Sequence, residues 1–336
     1  MKRPHTVILG AGATIAAIPN GDKNGKKSSV MNGLIEKLDL QDVLCGIDLQ
    51  TKSDNLEDIY SELYSRPECK KACEELENRL YEYFDSLELP DNPTVYDFLV
   101  LSMTKKDVIA TFNWDPLLIQ AYERCYYRFT ENLPTMLFLH GNVEVGYCSK
   151  DVLRGTKDLS CPVCHKPFKP TKLLYPIAEK NYQSDDFISK NWDDVEKKIE
   201  QSYMITIFGY SAPSSDKEAV SILKKAWEKS GARNFGEVSI IDIIDVEEAK
   251  ERWKDFIFPE YHYQSVKEFF DSYLGRLPRR SCEAFFEASM NQRAMKRDKG
   301  FKKGMSWLDI EKKIRDLIIE EENTPQGESY PPHYNV

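Results

Sequence analysis

The stretch VILGAGATIAAIPNGDKNGKKSS, residues 7 to 29, decides how the chain is read. An apolar run over 6–9 enters Gly10, Ala11, Gly12, Ala13 and Thr14, and a loop rich in Gly, Asn and Lys follows. Glycines after a strand let backbone approach a pyrophosphate, and the next helix offers unpaired N–H groups at its positive dipole end. The third glycine of the dinucleotide fingerprint is absent, and glycine pairs also serve plain strand-to-helix turns. Both readings of the turn therefore stand at this point.

Further short apolar runs follow: DVIATF at 107–112, TMLFL at 135–139, YMITIF at 203–208 and VSIIDII at 238–244. Helical patterns separate most of them, such as PLLIQAYERCYYRF at 116–129 and SDKEAVSILKKAWEKS at 215–230. Short buried strands alternating with helices predict an α/β fold built on a parallel, Rossmann-like sheet, with ligands at the carboxyl ends of the strands.

Two segments break this rhythm. Residues 54–103 hold no good strand, and Cys69, Cys73, Leu76, Leu80, Tyr83 and Leu87 recur there at helical spacing. That spacing predicts a helical insertion with Cys69 and Cys73 as core thiols. Residues 142–180 are dense in Cys, Pro, Lys and Gly and read as a small irregular module. After Gly275 the chain turns helical and basic, through PRRS at 278–281 and QRAMKRDKGFKK at 292–303. A last amphipathic helix is expected over about 305–321, ending in the acidic run Glu320–Glu322, and 323–336 is expected to be a disordered tail. The expected organisation is a main domain over 1–275 and a helical extension over 276–322.

Composition sets the bounds. With 336 residues, 41% of them hydrophobic and 12% aromatic, the chain can bury a large core. A formal charge of −9 argues against a general nucleic-acid coat. The apolar run near the N-terminus is too short for a signal peptide and no segment reaches membrane-spanning length, so a cytoplasmic protein is expected. Eight cysteines then favour reduced thiols and a metal over disulfides.

Residues just past strand ends carry the chemistry. Asn113-Trp114-Asp115 follows one strand, His140-Gly141-Asn142 the next, and Gly209-Tyr210-Ser211 another, with Asp216 near the following helix start. In a parallel sheet these ends share one edge, so Gly10, Asn113, His140 and Gly209 can converge. Each has a plainer role available. Asp115 before Pro116 can cap a helix, His140 can be a turn residue, and Ser211 and Asp216 can serve turns and caps.

GAGAT at 10–14, TFNWD at 111–115, LHG at 139–141 and FGYS at 208–211 resemble, in order, the four signature blocks of the sirtuin superfamily. The resemblance spans about residues 5–275 and implies a Rossmann-like domain that takes NAD+. It places Gly10, Ala11, Gly12 and Thr14 at the pyrophosphate and Asn113 and Asp115 at the nicotinamide and ribose end. His140 becomes the general base, Gly209 and Ser211 line the adenosine side, and Asp242 or Asp245 reaches the adenine ribose. A neutral histidine suits the proton transfer near pH 7, and an amide orients a water without adding charge.

The module holds Cys148 and then CPVCHKPFKP with Cys161, Cys164 and His165. Cys-x-x-Cys is zinc-knuckle spacing. The first knuckle of the sirtuin pattern has two cysteines as well, and there this chain reads CSKD. Asp151 stands at the matching position for the fourth ligand of a structural Zn²⁺, with His165 as its rival and a metal-free vestige as the plain alternative.

Two departures bear on function. LLYPIAEKNY at 173–182 replaces the segment that pairs with acyl-lysine peptide in sirtuin deacylases. The helical insertion resembles the sirtuin-like domains of bacterial antiviral defence, which consume NAD+ itself. Together they imply an NAD+ glycohydrolase, a defence effector acting by NAD depletion, working as a homo-oligomer or with a partner such as an ATPase. The alternatives are an NAD-dependent protein deacylase or ADP-ribosyltransferase, and a non-catalytic nucleotide-binding subunit.

Overall fold

The computed structural model describes residues 3–29, 31–177, 182–183, 185–257, 262–325 and 328–331. Strands β1 (His5–Leu9), β2 (Val108–Thr111), β3 (Thr135–Phe138), β7 (Met204–Phe208), β8 (Glu237–Ile241) and β9 (Tyr263–Val266) form one parallel sheet in the order β3-β2-β1-β7-β8-β9. The order reverses between β1 and β7, which is where doubly wound sheets hold their ligands. The fold class read from the sequence is the one observed.

The pleat explains the two layers. Val7, Leu9 and Ile109 belong to the core on one face, while Ile8, Val108, Ala110, Ile205, Ile207, Val238 and Ile240 belong to the core on the other. Alternation of side chains along each strand sends them to opposite sides, and both sides are covered, so the strands read as continuous apolar runs.

The first face carries α1 (Ala11–Ala17), the short α2 (Leu34–Lys37), α3 (Leu56–Tyr64), α4 (Lys70–Asp85), α5 (Val95–Leu101) and α6 (Leu117–Arg128). Helices α3 to α5 are the insertion. Cys69 and Cys73 are buried in its core as expected. The inward face of α4 is Cys73, Leu76, Leu80 and Phe84, so Phe84 takes the place expected for Tyr83. Tyr83 is half-buried and its hydroxyl donates to the carbonyl of Lys27.

The second face carries α7 (Asp186–Gln201), α8 (Lys217–Glu228) and α9 (Val246–Trp253). Strand β8 stops at Ile241, short of the expected 244, because Asp242 turns the chain by accepting from the Ile244 N–H at 3.3 Å. The edge strand β9 carries no apolar run in the sequence; its residues YQSV are all only partly buried.

The Cys-containing module is ordered, not irregular. Strands β4 (Val145–Cys148), β5 (Leu153–Thr156) and β6 (Lys169–Pro170) form an antiparallel sheet in the order β5-β4-β6.

Beyond α10 (Tyr273–Arg276) and α11 (Ser281–Met290), helix α12 (Trp307–Asn323) packs into the main core through Ile310 and Ile314, beside Phe301. The basic PRRS stretch is not a surface patch. Arg279 and Arg280 are buried and share the buried Glu321 carboxylate, with Arg279 Nε 2.8 Å and Arg280 Nη1 2.6 Å from Glu321 Oε1. Tyr330, in the tail expected to be disordered, is buried under the Arg280 guanidinium at 4.7 Å. No helix among the described residues is long and apolar enough to cross a membrane.

Candidate active site

The glycine turn is held by its neighbour across the switch point. Gly10 N donates to Phe208 O at 3.1 Å and Gly12 N to Gly209 O at 2.9 Å. Gly209 has φ +58°, and a Cβ there would sit 2.3 Å from Ala13 N. A Cβ on Gly12 would meet Gly209 Cα at 2.8 Å. These glycines therefore let two strand-end turns touch, a close approach that no larger residue permits. The Gly12 N–H is spent on Gly209 and is not turned to a ligand. The plain turn reading accounts for Gly10, Gly12 and Gly209 as they stand.

Beside this turn lies a compact polar network. Thr14 on α1 donates its hydroxyl to Asp115 Oδ2 at 2.7 Å and lies 2.7 Å from the Tyr96 hydroxyl. Asn113 Nδ2 lies 2.9 Å from Gly10 O, 3.0 Å from Thr14 Oγ1 and 3.1 Å from Tyr96 Oη. Gly10 O can only accept, which fixes the amide with its nitrogen inward and its Oδ1 turned away. Thr14, Tyr96 and Asp115 are buried, and Asn113 is half-buried. Burial raises the Asp115 carboxyl above its usual range, against the hydrogen bonds from Thr14 and Leu117 that lower it. Its Oδ1 also accepts from Leu117 N at 3.1 Å at the start of α6, so the capping role and the network role coexist.

His140 follows β3. Gly141 behind it has φ +80°, and a Cβ there would fall 2.1 Å from Lys172 O, so only glycine lets the chain cross at this point. The imidazole is buried, edge-on to Phe112 with ring centroids 4.7 Å apart and parallel to Tyr182 at 6.1 Å. Its Nε2 lies 3.8 Å from Asp216 Oδ1, beyond hydrogen-bond length. Asp216 does not cap α8 with its side chain; it accepts from the Tyr210 hydroxyl at 2.9 Å. Phe112 stacks on Tyr210 at 4.2 Å, which ties the ends of β2, β3 and β7 into one aromatic box. Asn142 Nδ2 donates to Asp115 O at 2.7 Å and fastens the β3 end to the β2 end.

The remaining expected positions lie further along the same edge. Ala11 is partly exposed at the start of α1, Ser211 is exposed beyond Tyr210, and Asp242 is half-buried at the end of β8. Asp245 is the N-cap of α9, accepting from Glu248 N at 2.9 Å, which favours Asp242 as the acid facing that edge. Tyr96, Tyr210, Tyr182 and the placement of Asp216 beside His140 were not read from the sequence. Tyr210 lies inside the FGYS block and Tyr182 ends the departing LLYPIAEKNY segment, but Tyr96 sits in the insertion and carries no sequence signal.

In the module, the donor atoms of Cys148, Asp151, Cys161 and Cys164 lie within 4.8 Å of one another. Cys148 Sγ and Cys164 Sγ are 3.6 Å apart, and Asp151 Oδ2 is 3.4 Å from Cys148 Sγ and 3.2 Å from Cys161 Sγ. Tetrahedral zinc with Zn–S near 2.3 Å sets its sulfurs about 3.8 Å apart, so this donor set fits the ion. His165 is exposed and outside the group. Pockets of about 310 and 200 Å³ flank the module, away from the strand-end site.

The six-stranded sheet order, the switch point and the polar network define a doubly wound α/β protein with a built site at its carboxyl edge. No protein-family model and no curated protein matches the chain. Among solved structures it is similar to a Sir2 homologue in complex with NAD, at 13% identity, with 84% of this chain and 90% of that chain covered and a TM-score of 0.41. It is also similar to Sir2 bound to an acetylated peptide, at 14% identity over 86% of this chain and 93% of that one, TM-score 0.38. A third is a Sir2–p53 peptide–NAD+ complex, at 16% identity over 78% and 87%, TM-score 0.38. At these values the likeness concerns the general course of the chain.

Proposed function

We propose that the chain binds NAD+ along the β1/β7 edge and hydrolyses its nicotinamide–ribose bond. One observation carries the reading: a fixed amide, Asn113, and a buried imidazole, His140, stand at neighbouring strand ends beside the glycine turn. The bond between the anomeric carbon and the nicotinamide nitrogen breaks, and nicotinamide leaves neutral with the electron pair. A water held by Asn113 Oδ1 attacks the oxocarbenium-like carbon, and its proton passes to His140. The products are nicotinamide, ADP-ribose and one proton. Asp216 stabilises the imidazolium so formed, and Thr14, Tyr96 and Asp115 keep the amide in place. Asp242 faces the adenosine end.

Water as the acceptor is supported by the segment after the Cys module. Leu173 and Leu174 are buried, Leu174 N donates to His140 O at 2.9 Å, Ser61 donates to Pro176 O at 2.9 Å, and the Tyr175 ring packs on Trp114 at 5.3 Å. This stretch is tied to the insertion instead of offered to a peptide strand. The burial of Thr14, Asp115 and His140 supports a closed resting state, as an effector that depletes NAD in antiviral defence requires, opened by a partner such as an ATPase or by self-association. A structural Zn²⁺ held by Cys148, Asp151, Cys161 and Cys164 fastens the module that carries this segment.

The test is ADP-ribose release from NAD+ with and without acetylated peptide, on wild type and His140→Ala. Positioned acid–base groups contribute roughly 10²–10⁴-fold, and that loss is expected in the variant. Turnover that needs peptide and yields O-acylated ADP-ribose establishes a deacylase instead, and NAD+ binding without turnover establishes a sensor.

A further inference from the structure

The aromatic box around His140 contains a hydroxyl that the fold does not use. Tyr182 is buried, its ring lies parallel to His140 at 6.1 Å and 13° and packs on Trp192 at 4.5 Å, and its Oη is buried without a hydrogen-bond partner. Two polar groups near it are spent within the protein. Trp192 Nε1 donates to Leu139 O at 3.0 Å, and the Tyr210 hydroxyl donates to Asp216. Burying a hydroxyl without a partner costs free energy that a phenyl ring of the same shape would not cost. The Trp192 and His140 rings fix the side chain, so the cost is not relieved by turning the ring outward.

We propose that Tyr182 is a substrate-binding residue whose hydroxyl donates to a hydroxyl oxygen of the nicotinamide-side ribose when the dinucleotide enters the His140 pocket. This assignment rests on the NAD+ reading above. It gives Tyr182 a role in the site: its ring lies parallel to the imidazole and its hydroxyl supplies the donor. Burial, with the charges of Asp216 and Glu218, holds the phenol above its usual range, so it stays protonated and keeps its O–H to donate.

Tyr182→Phe removes the hydroxyl and keeps the ring stack. Three measurements on the full chain test the assignment: melting temperature without NAD+, the NAD+-induced rise in that temperature, and kcat/KM for ADP-ribose release. The unliganded variant is expected to melt about 1–3 °C higher, because an unpaired buried group is gone. Its NAD+-induced shift is expected to shrink, and kcat/KM to fall roughly 10-fold. A lower unliganded melting temperature would mean that the hydroxyl is bonded within the fold and overturns the assignment. A variant with wild-type shift and kcat/KM overturns it too, and leaves the NAD+ reading standing if wild type turns over and His140→Ala does not. A wild type with neither NAD+-induced shift nor turnover, in the self-associated or partner-bound state as well as alone, overturns both.

Discussion

Asn113 gives the sharpest test of the site, because its amide does two separable things. Its nitrogen is fixed inward against Gly10 O, Thr14 and Tyr96, and in the proposed mechanism its oxygen holds the nucleophile. Asn113→Ala removes both. Thr14 keeps its bonds to Asp115 and Tyr96, so the network loses the amide and Gly10 O loses a donor. Gly10 O keeps the Ala13 N–H at 3.0 Å, so the cost is that of one lost hydrogen bond, about 0.5–1.5 kcal/mol of stability. Loss of one preorganised polar contact at the reacting centre costs about 10²–10³ in kcat, or about 3–4 kcal/mol of barrier. Asn113→Asp separates the two effects. It keeps the shape but sets a carboxylate oxygen where the amide nitrogen stood, 2.9 Å from the Gly10 carbonyl. That repulsion is relieved only by protonation, so the variant should be less stable at neutral pH and regain stability as pH falls. The assays are thermal melts across pH, calorimetric NAD+ binding and ADP-ribose release. Both variants should keep NAD+ affinity within several-fold, since the proposed binding mode sets Asn113 at the nicotinamide end alone. Wild-type turnover in Asn113→Ala, or complete loss of NAD+ binding, would refute the reasoning.

Elemental analysis should find about one zinc per chain, and Cys164→Ser or Asp151→Ala should lose it together with several degrees of melting temperature, whereas His165→Ala should not. Glu321→Ala leaves the buried guanidinium groups of Arg279 and Arg280 without their shared anion and should cost about 3–5 kcal/mol, read by denaturant unfolding. Burial pushes the Glu237 carboxyl up to about 8 from a usual 4.5, so its contribution is complete below pH 4.5 and is lost as pH rises through 8. By pH 7 that loss is on the order of 3 kcal/mol, and Glu237→Gln should recover much of it and flatten the stability–pH curve between 5 and 8.

The sequence determined five of the six sheet strands, because both faces of the sheet are covered there and each read as a continuous apolar run; the partly buried edge strand β9 did not. It also placed Asn113, His140 and Gly209 at strand ends, since a parallel sheet gathers its carboxyl termini on one edge. The Cys-x-x-Cys spacing and the CSKD stretch pointed to Cys148, Asp151, Cys161 and Cys164, whose donor atoms the fold brings together. What tertiary structure alone decided are the contacts between distant segments. Tyr96 reaches Thr14 and Asn113 from an insertion whose pattern speaks only of a helical core. Asp216 turns from helix start to His140 and Tyr210 because β7 and β3 end side by side around Phe112. The glycine turn also lets two strand-end turns touch, a contact no reading of the chain foresaw, since the distance from Gly12 to Gly209 depends on strand order and not on spacing along the chain. Periodicity and local chemistry are written in neighbouring residues, but the partner of a buried polar group is chosen by where the sheet sets the other strands.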